Sequence, residues 1–312
     1  MAEPVRPRRV SLGEARTAAD DCRRYLPIKL TFDTRSVVLD MKIAEDWEPR
    51  IKDQWLDNQA AVRAGLLGEL GAADGEAKIE NYRAMGPAPW SVVFEHSRLL
   101  AQVRSSFAHG DFYPALVGAC ALGERILAQL ILVLREDYAN HSSTTRRVRR
   151  GGPFSDWGAS IEVLHGWGVL SDALAETYTQ LESQRHTAVH FDSTVTADER
   201  EPALLALGQL QGIVEGVFSP SGGPPRFIAG IPGFSFLSRG AEQTPIVRRV
   251  FLPNSALLSP AHIMSPSEPT EPSEWTIVDD ADYDPTPLTD EEFARALPSG
   301  HAAMEDHAVK PV

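Results

Sequence analysis

The run from Phe112 to Tyr138 constrains this chain most. Apolar residues recur at Tyr113, Val117, Cys120, Leu127, Ile131 and Leu134, the three-and-four spacing of one helix face. Glu124, Arg125 and Gln129 interrupt the run, so it falls short of the roughly 18 uninterrupted apolar residues of a membrane span. It reads as a core helix of a soluble, mostly helical protein. The 312 residues, 43% hydrophobic and 23% charged, suffice for one large domain or two modest ones.

Shorter signals surround this helix. Ser11 and Glu14 form a capping-box pattern for a helix through about Arg24. Ile28, Leu30 and Phe32, then Val37, Leu39, Met41 and Ile43, alternate with polar residues across Thr34-Arg35-Ser36, which reads as a β-hairpin. A helix over 45–70 follows, with 72–89 as a connector. Helical spacing resumes over 90–108 and is broken at His109-Gly110-Asp111. Further helices are expected over 157–167, from Asp172 onward, and over 204–217. The short runs 234–237 and 246–252 suggest a second hairpin. From Ser259 onward Pro, Ser, Asp and Glu dominate, a composition that reads as partly disordered or draped on the surface. Within it 288–297 forms a short amphipathic helix capped by Thr289 or Asp290.

The expected fold is therefore mainly α: an antiparallel bundle of four to five helices with small flanking β-hairpins and an acidic, partly disordered C-terminal tail. Four regions are expected. They are an N-terminal helix, hairpin and helix (1–89), the bundle (90–218), a hairpin extension (219–258) and the tail (259–312).

Charge follows this division. Of the formal net charge of −13, residues 256–312 carry −10, with twelve acidic residues against two basic ones. The body is near neutral and holds one basic knot, Arg146, Arg147, Arg149 and Arg150, ahead of Gly151-Gly152-Pro153. Such a cluster can contact phosphates or be a solvated loop. The N-terminus lacks the apolar core of a signal peptide, and Cys22 and Cys120 are too few for a disulfide framework or a thiolate metal site. The expected location is the cytoplasm, with no membrane association.

Chemistry concentrates in the segment from Glu182 to Asp192. Walking back from Arg185 at helical spacing gives Leu181, Tyr178 and Leu174, so a guanidinium falls on an apolar stripe and needs a partner or a ligand. Glu124 falls on the apolar stripe of its own helix, and the two charges would satisfy each other. That pair is either a purely structural ion pair or part of a site. His186 and His190 are four apart, the spacing of a metal-binding pair with Asp192 as a third ligand. Position 187 is Thr where a zinc-protease helix needs Glu, and no other cluster completes a site, so no metal or other cofactor is expected.

A helical bundle whose late helix carries Arg, four residues, then His, with a polar residue directly after the arginine, resembles the HEPN superfamily. Here the motif reads Arg185-His186-Thr187-Ala188-Val189-His190, with His186 in place of the commoner Asn, and Glu124 stands where relatives carry an acidic residue facing the motif. The resemblance covers roughly 90–218. It implies a metal-independent endoribonuclease, a toxin or phage-defence effector of toxin–antitoxin type, whose cleft forms between two copies of the chain. On that reading His190 is the general acid/base, Arg185 the phosphate clamp, His186 a secondary contact and Glu124 the group orienting Arg185. RNA, a second copy and an antitoxin or regulatory protein are the implied partners. The alternative is a non-catalytic module of the same kind that binds nucleotide, RNA or a protein. Arg185 and His190 lie about 140° apart on an ideal helix, so sharing one cleft requires a distorted helix end or a second bundle.

Overall fold

The computed structural model of the chain describes residues 8–149, 156–189, 199–220, 222–266, 275–280 and 285–298. They are mainly helical, with three small sheets. In chain order the strands are β1 (Arg8–Arg9), β2 (Arg24–Pro27), β3 (Leu30–Asp33), β4 (Ala88–Val92), β5 (Ser255–Leu258), β6 (Ile263–Pro266) and β7 (Trp275–Asp279). The helices are α1 (Arg35–Asp40), α2 (Pro49–Leu70), α3 (Gly75–Ala84), α4 (Ser97–His109), α5 (Phe112–Leu134), α6 (Arg146–Arg149), α7 (Trp157–Gly166), α8 (Asp172–Val189), α9 (Arg200–Phe218) and α10 (Asp290–Ala296). The chain divides into two compact units, 31–223 and a second formed by 1–30 with 224–312. The division joins the two chain ends into one unit, where the sequence suggests four consecutive regions.

In the helical unit α5 is central and packs against α4, α7, α8 and α9. Its length and hydropathy match a membrane span, yet half of its most apolar window is buried against these neighbours. Leu122, Ile126, Leu127, Leu130, Ile131 and Leu134 are each at most 2% exposed. Burying a side chain of this kind contributes about 1.5–3 kcal/mol, so this face positions the helix. Glycines let the helices close up. A Cβ on Gly123 would lie 2.6 Å from Leu181 Cδ2 and 3.3 Å from the Trp157 ring, and one on Gly216 would lie 2.6 Å from Leu174 Cδ2. Leu174 and Leu181, two turns apart on α8, thus each fill the notch of a glycine, one on α9 and one on α5.

Several local expectations are overturned in this unit. Residues 35–40 form α1 instead of the second strand of a hairpin, and β3 pairs with β4. The Asp33 carboxylate accepts from the Arg35 backbone N–H (3.1 Å) and from its guanidinium, which turns the chain into a helix where alternation alone suggests a strand. The supposed connector contains α3, with Ile79 and Tyr82 buried three residues apart. The helix expected from Trp90 starts at Ser97, because 88–92 is the strand β4.

The other unit is built by strand pairing between distant segments. β2 runs antiparallel to β5, with Tyr25 opposite Leu257, and β7 lies between β1 and β6. Leu26, Phe236, Ala256, Leu258, Ile277 and Phe293 form its core. Charges are buried beside that core. Arg24 is 0% exposed and donates Nε–H to Asp290 (2.6 Å) and Nη1–H to the carbonyls of Asp21 and Arg23. Arg23 pairs with Asp20 and Asp279, and Glu242 pairs with Arg16 and Arg239. Buried charges of this kind persist only when each is partnered.

These pairs explain two corrections. No helix runs from Ser11 to Arg24: a single 3-10 turn, Ala18–Asp20, precedes β2, because Arg23 and Arg24 are drawn into long-range pairs. Residues 247–251 are a turn of π-helix, not a hairpin strand. Val247 and Phe251 are buried while the adjacent Arg248 and Arg249 are both exposed, a pattern alternation cannot give. The acidic region after 259 also contributes ordered elements. β6, β7 and α10 belong to this unit, and the capping box Thr289–Glu292 starts α10 as its sequence suggests. Phe293 of α10 is fully buried.

Two outcomes are expected. Gly123→Val forces α5 off Leu181 and Trp157 and should cost about 1–3 kcal/mol in urea unfolding. An unchanged midpoint would mean that the seam is looser than described. His262, buried at 8% exposure, has its pKa lowered, first by burial, against smaller raising contributions from the Ser259 carbonyl and Asp279. The folded ring therefore takes up its proton at a lower pH than the unfolded chain, whose imidazole titrates near pH 6.5. Stability should fall as pH drops below about 6.5, and His262→Phe should remove that part of the slope. Denaturant melts from pH 8 to 5 read both.

Candidate functional site

The candidate site lies along the seam between α5 and α8. Tyr113 Oη is 3.5 Å from the Ala188 carbonyl, and Cys120 Sγ is 3.8 Å from the Leu181 carbonyl. As the contact moves forward along α5 it moves backward along α8, so the two helices run antiparallel here. On α8, Tyr178 and Leu181 are 0% exposed, which fixes the phase of the helix. Arg185 is the next position on that stripe, four residues on, where the covering thins.

Its guanidinium meets Glu124 with Nη2 3.3 Å from Oε2. Helical side chains lean toward the N-terminus of their own helix. On antiparallel helices that lean carries Arg185 and Glu124 toward each other along the seam. The sequence brings the right two residues together but misjudges their surroundings. The Arg185 side chain is 44% exposed and that of Glu124 26%, so the pair stands at a solvent-facing edge and not within the core. An apolar stripe continues to define a face at the end of a helix but no longer guarantees cover there.

Burial nearby is strong all the same. It pushes the Cys120 thiol up to about 11, with the Arg185 charge offsetting only part of the effect. The thiol is therefore protonated at neutral pH and serves as a packing group. Beneath the pair, Trp157 and Tyr178 stand edge to face at 6.1 Å, and neither the indole N–H nor the phenol finds a partner among the described residues.

The remaining expected residues divide. His186 is exposed, one position round from Arg185. His190 and Asp192 lie outside the described residues, as does Arg150. Arg146, Arg147 and Arg149 are exposed on α6, which Val148, 2% exposed, anchors from below. Arg147 is 3.4 Å from Asp156, the residue that also caps α7 by accepting from the Ala159 N–H. Among the described residues no group of three or more His, Cys, Asp or Glu side chains is placed to hold a metal ion.

Sequence reasoning missed the charge network of the other unit, because its members are scattered from Arg16 to Asp290. It also missed the meeting of Ser259, His262 and Asp279, three residue types of a hydrolytic triad. Their geometry gives no nucleophile. Ser259 Oγ donates to Asp279 (2.6 Å), and His262 Nδ1 faces the Ser259 carbonyl (3.2 Å), so the imidazole is paired with the backbone and not with the hydroxyl as a triad requires.

Exposure decides what the Arg185–Glu124 pair contributes. A pair this open is worth at most about 1 kcal/mol, against about 3–5 kcal/mol for breaking a buried one. Glu124→Ala should therefore lower the unfolding free energy by less than about 1 kcal/mol in a denaturant melt. A loss in the buried range would mark the pair as structural. No family model, curated protein or solved structure matches the chain.

Proposed function

We propose that the α5–α8 seam binds the RNA backbone and that the chain is a HEPN-like, metal-independent endoribonuclease acting as a dimer. The observation that carries this reading is the Arg185 guanidinium, half exposed and tethered at one nitrogen to Glu124. A guanidinium has five N–H donors in a planar fork. Among the described residues the tether occupies one edge of that fork and leaves the others for a phosphate, whose geometry the fork matches.

In this reading α4, α5, α7, α8 and α9 are the antiparallel bundle, and α8 delivers Arg185 and His186 to its edge. His190 follows one residue after α8 and serves as general base, then acid. It removes the proton of the RNA 2′-hydroxyl as the 2′-oxygen bonds to phosphorus. As the bond from phosphorus to the 5′-oxygen breaks, a proton is returned to that oxygen, leaving a 2′,3′-cyclic phosphate and a free 5′-hydroxyl. An imidazole near pH 6.5 suits both transfers. Arg185 offsets the charge growing on the phosphate oxygens, Glu124 fixes its direction, and His186 adds a polar contact. The exposed Arg146, Arg147 and Arg149 extend the cationic surface, and a second copy or a regulatory protein would complete or close the cleft.

The test is cleavage of labelled RNA in EDTA by wild type, Arg185→Ala and His190→Ala. Cyclic-phosphate ends are expected from the wild type, with losses of about 100-fold or more in His190→Ala. RNA that is retained but never cut would assign a non-catalytic binding module. Cleavage surviving both substitutions would place the activity elsewhere.

A further inference from the structure

We infer that Tyr113 is a specificity-determining contact of this site, a platform on which an unpaired base of the bound RNA stacks; the inference rests on the phosphate-binding reading of Arg185. Tyr113 is 47% exposed although it lies in the first turn of the most apolar helix of its unit. A single exposed tyrosine is ordinary surface. Its placement sets this one apart. It precedes Glu124 by eleven residues, which at 100° per residue is about 20° past three full turns. The two residues therefore share one face of α5, and that face is turned to α8: Glu124 meets Arg185 and the Tyr113 hydroxyl meets the Ala188 carbonyl. The seam thus sets an exposed aromatic ring close to the tethered cation.

On α8, Arg185 lies three residues before Ala188, about 4.5 Å of helix rise, so the cation and the ring are near neighbours on the seam. A base next to the clamped phosphate is the one that would meet the ring. Tyr113 would then read whether that base is unpaired, since only an unstacked base can offer its face to a side chain. Every base has such a face, so the contact is tolerant of sequence and selective for an unpaired position.

The experiment uses the full chain and a 2′-O-methyl RNA of about ten nucleotides, within the usual site size of single-strand binders. This RNA has no 2′-hydroxyl to attack, so binding is read without cleavage. Abasic positions are placed along it one at a time, and affinity is measured by fluorescence anisotropy for wild type, Tyr113→Ala, Tyr113→Trp and Arg185→Ala. Thermal melts confirm that each variant is folded. The wild type should lose about tenfold at one abasic position, the range of a single base–aromatic contact. Tyr113→Ala should lose a similar factor on the intact RNA and become indifferent to that abasic position, and Tyr113→Trp should behave as wild type. Losses that simply multiply would show that ring and base do not touch, and would overturn the inference. Wild-type binding by Tyr113→Ala, with Arg185→Ala weakened, would remove Tyr113 while leaving the phosphate site standing. Arg185→Ala binding like wild type would bring down the underlying reading and this inference with it.

Discussion

Close contact at Gly123 governs the helical unit. Leu181 and the Trp157 ring occupy the space a side chain at that position would need, so α5 and α8 approach more closely than any residue but glycine at 123 allows. That contact, with the Leu174–Gly216 notch two turns back on the same stripe of α8, sets the rotation and the height of the helix. The rotation puts Tyr178 and Leu181 inward, and the height puts Arg185 where cover gives out. Burial of each large apolar side chain contributes about 1.5–3 kcal/mol, whereas the open Arg185–Glu124 pair contributes at most about 1. The pair therefore does not hold the helices in place. The helices hold the pair, and the cation stands half in solvent.

The second unit solves its packing differently. Its strands come from both ends of the chain, and its apolar cluster is joined by charges that are almost wholly enclosed. Arg24 is fully buried and still satisfied, by one carboxylate, several backbone carbonyls and the Phe293 ring 5.4 Å away. Asp279 is likewise fully buried and accepts from the Ser259 N–H and hydroxyl. Such groups cost much when a partner is lost and add little beyond a well-packed apolar substitute, so their effect is to fix which segments pair. The contrast with Arg185 is instructive. A buried, fully partnered arginine is architecture, and a half-open one with spare donors is a candidate for binding.

How far the sequence could be read depended on whether the signal was local. The long periodic segments were legible: α2, α5, α7, α8 and α9 lie where their apolar spacing places them, and Thr289 caps α10 as its capping box suggests. The meeting of Glu124 with Arg185 was legible too, because both charges interrupt apolar stripes in phase. Short segments were not. Val37, Leu39 and Met41 alternate like a strand, but the Asp33 side chain captures the Arg35 N–H and starts a helix. Ile79 and Tyr82 carry too few apolar residues to announce α3, and Val247 with Phe251 forms a helical turn from a run that resembles a strand.

By itself the sequence determined that the chain is mainly helical and that one helix must lie at a core. It also determined that a cation and an anion on two helices must be reconciled. Periodicity and the cost of stranded charge suffice for that. Only the tertiary structure decided that the two chain ends form one unit and that the acidic region lends it β6, β7 and α10. It alone decided that Arg185 stands half in solvent instead of inside the core, and that Tyr113 shares its seam. Those outcomes depend on where one element ends relative to another and on which distant side chain fills a given space. Such distances arise only when the pieces pack, and local spacing along a chain carries no record of them.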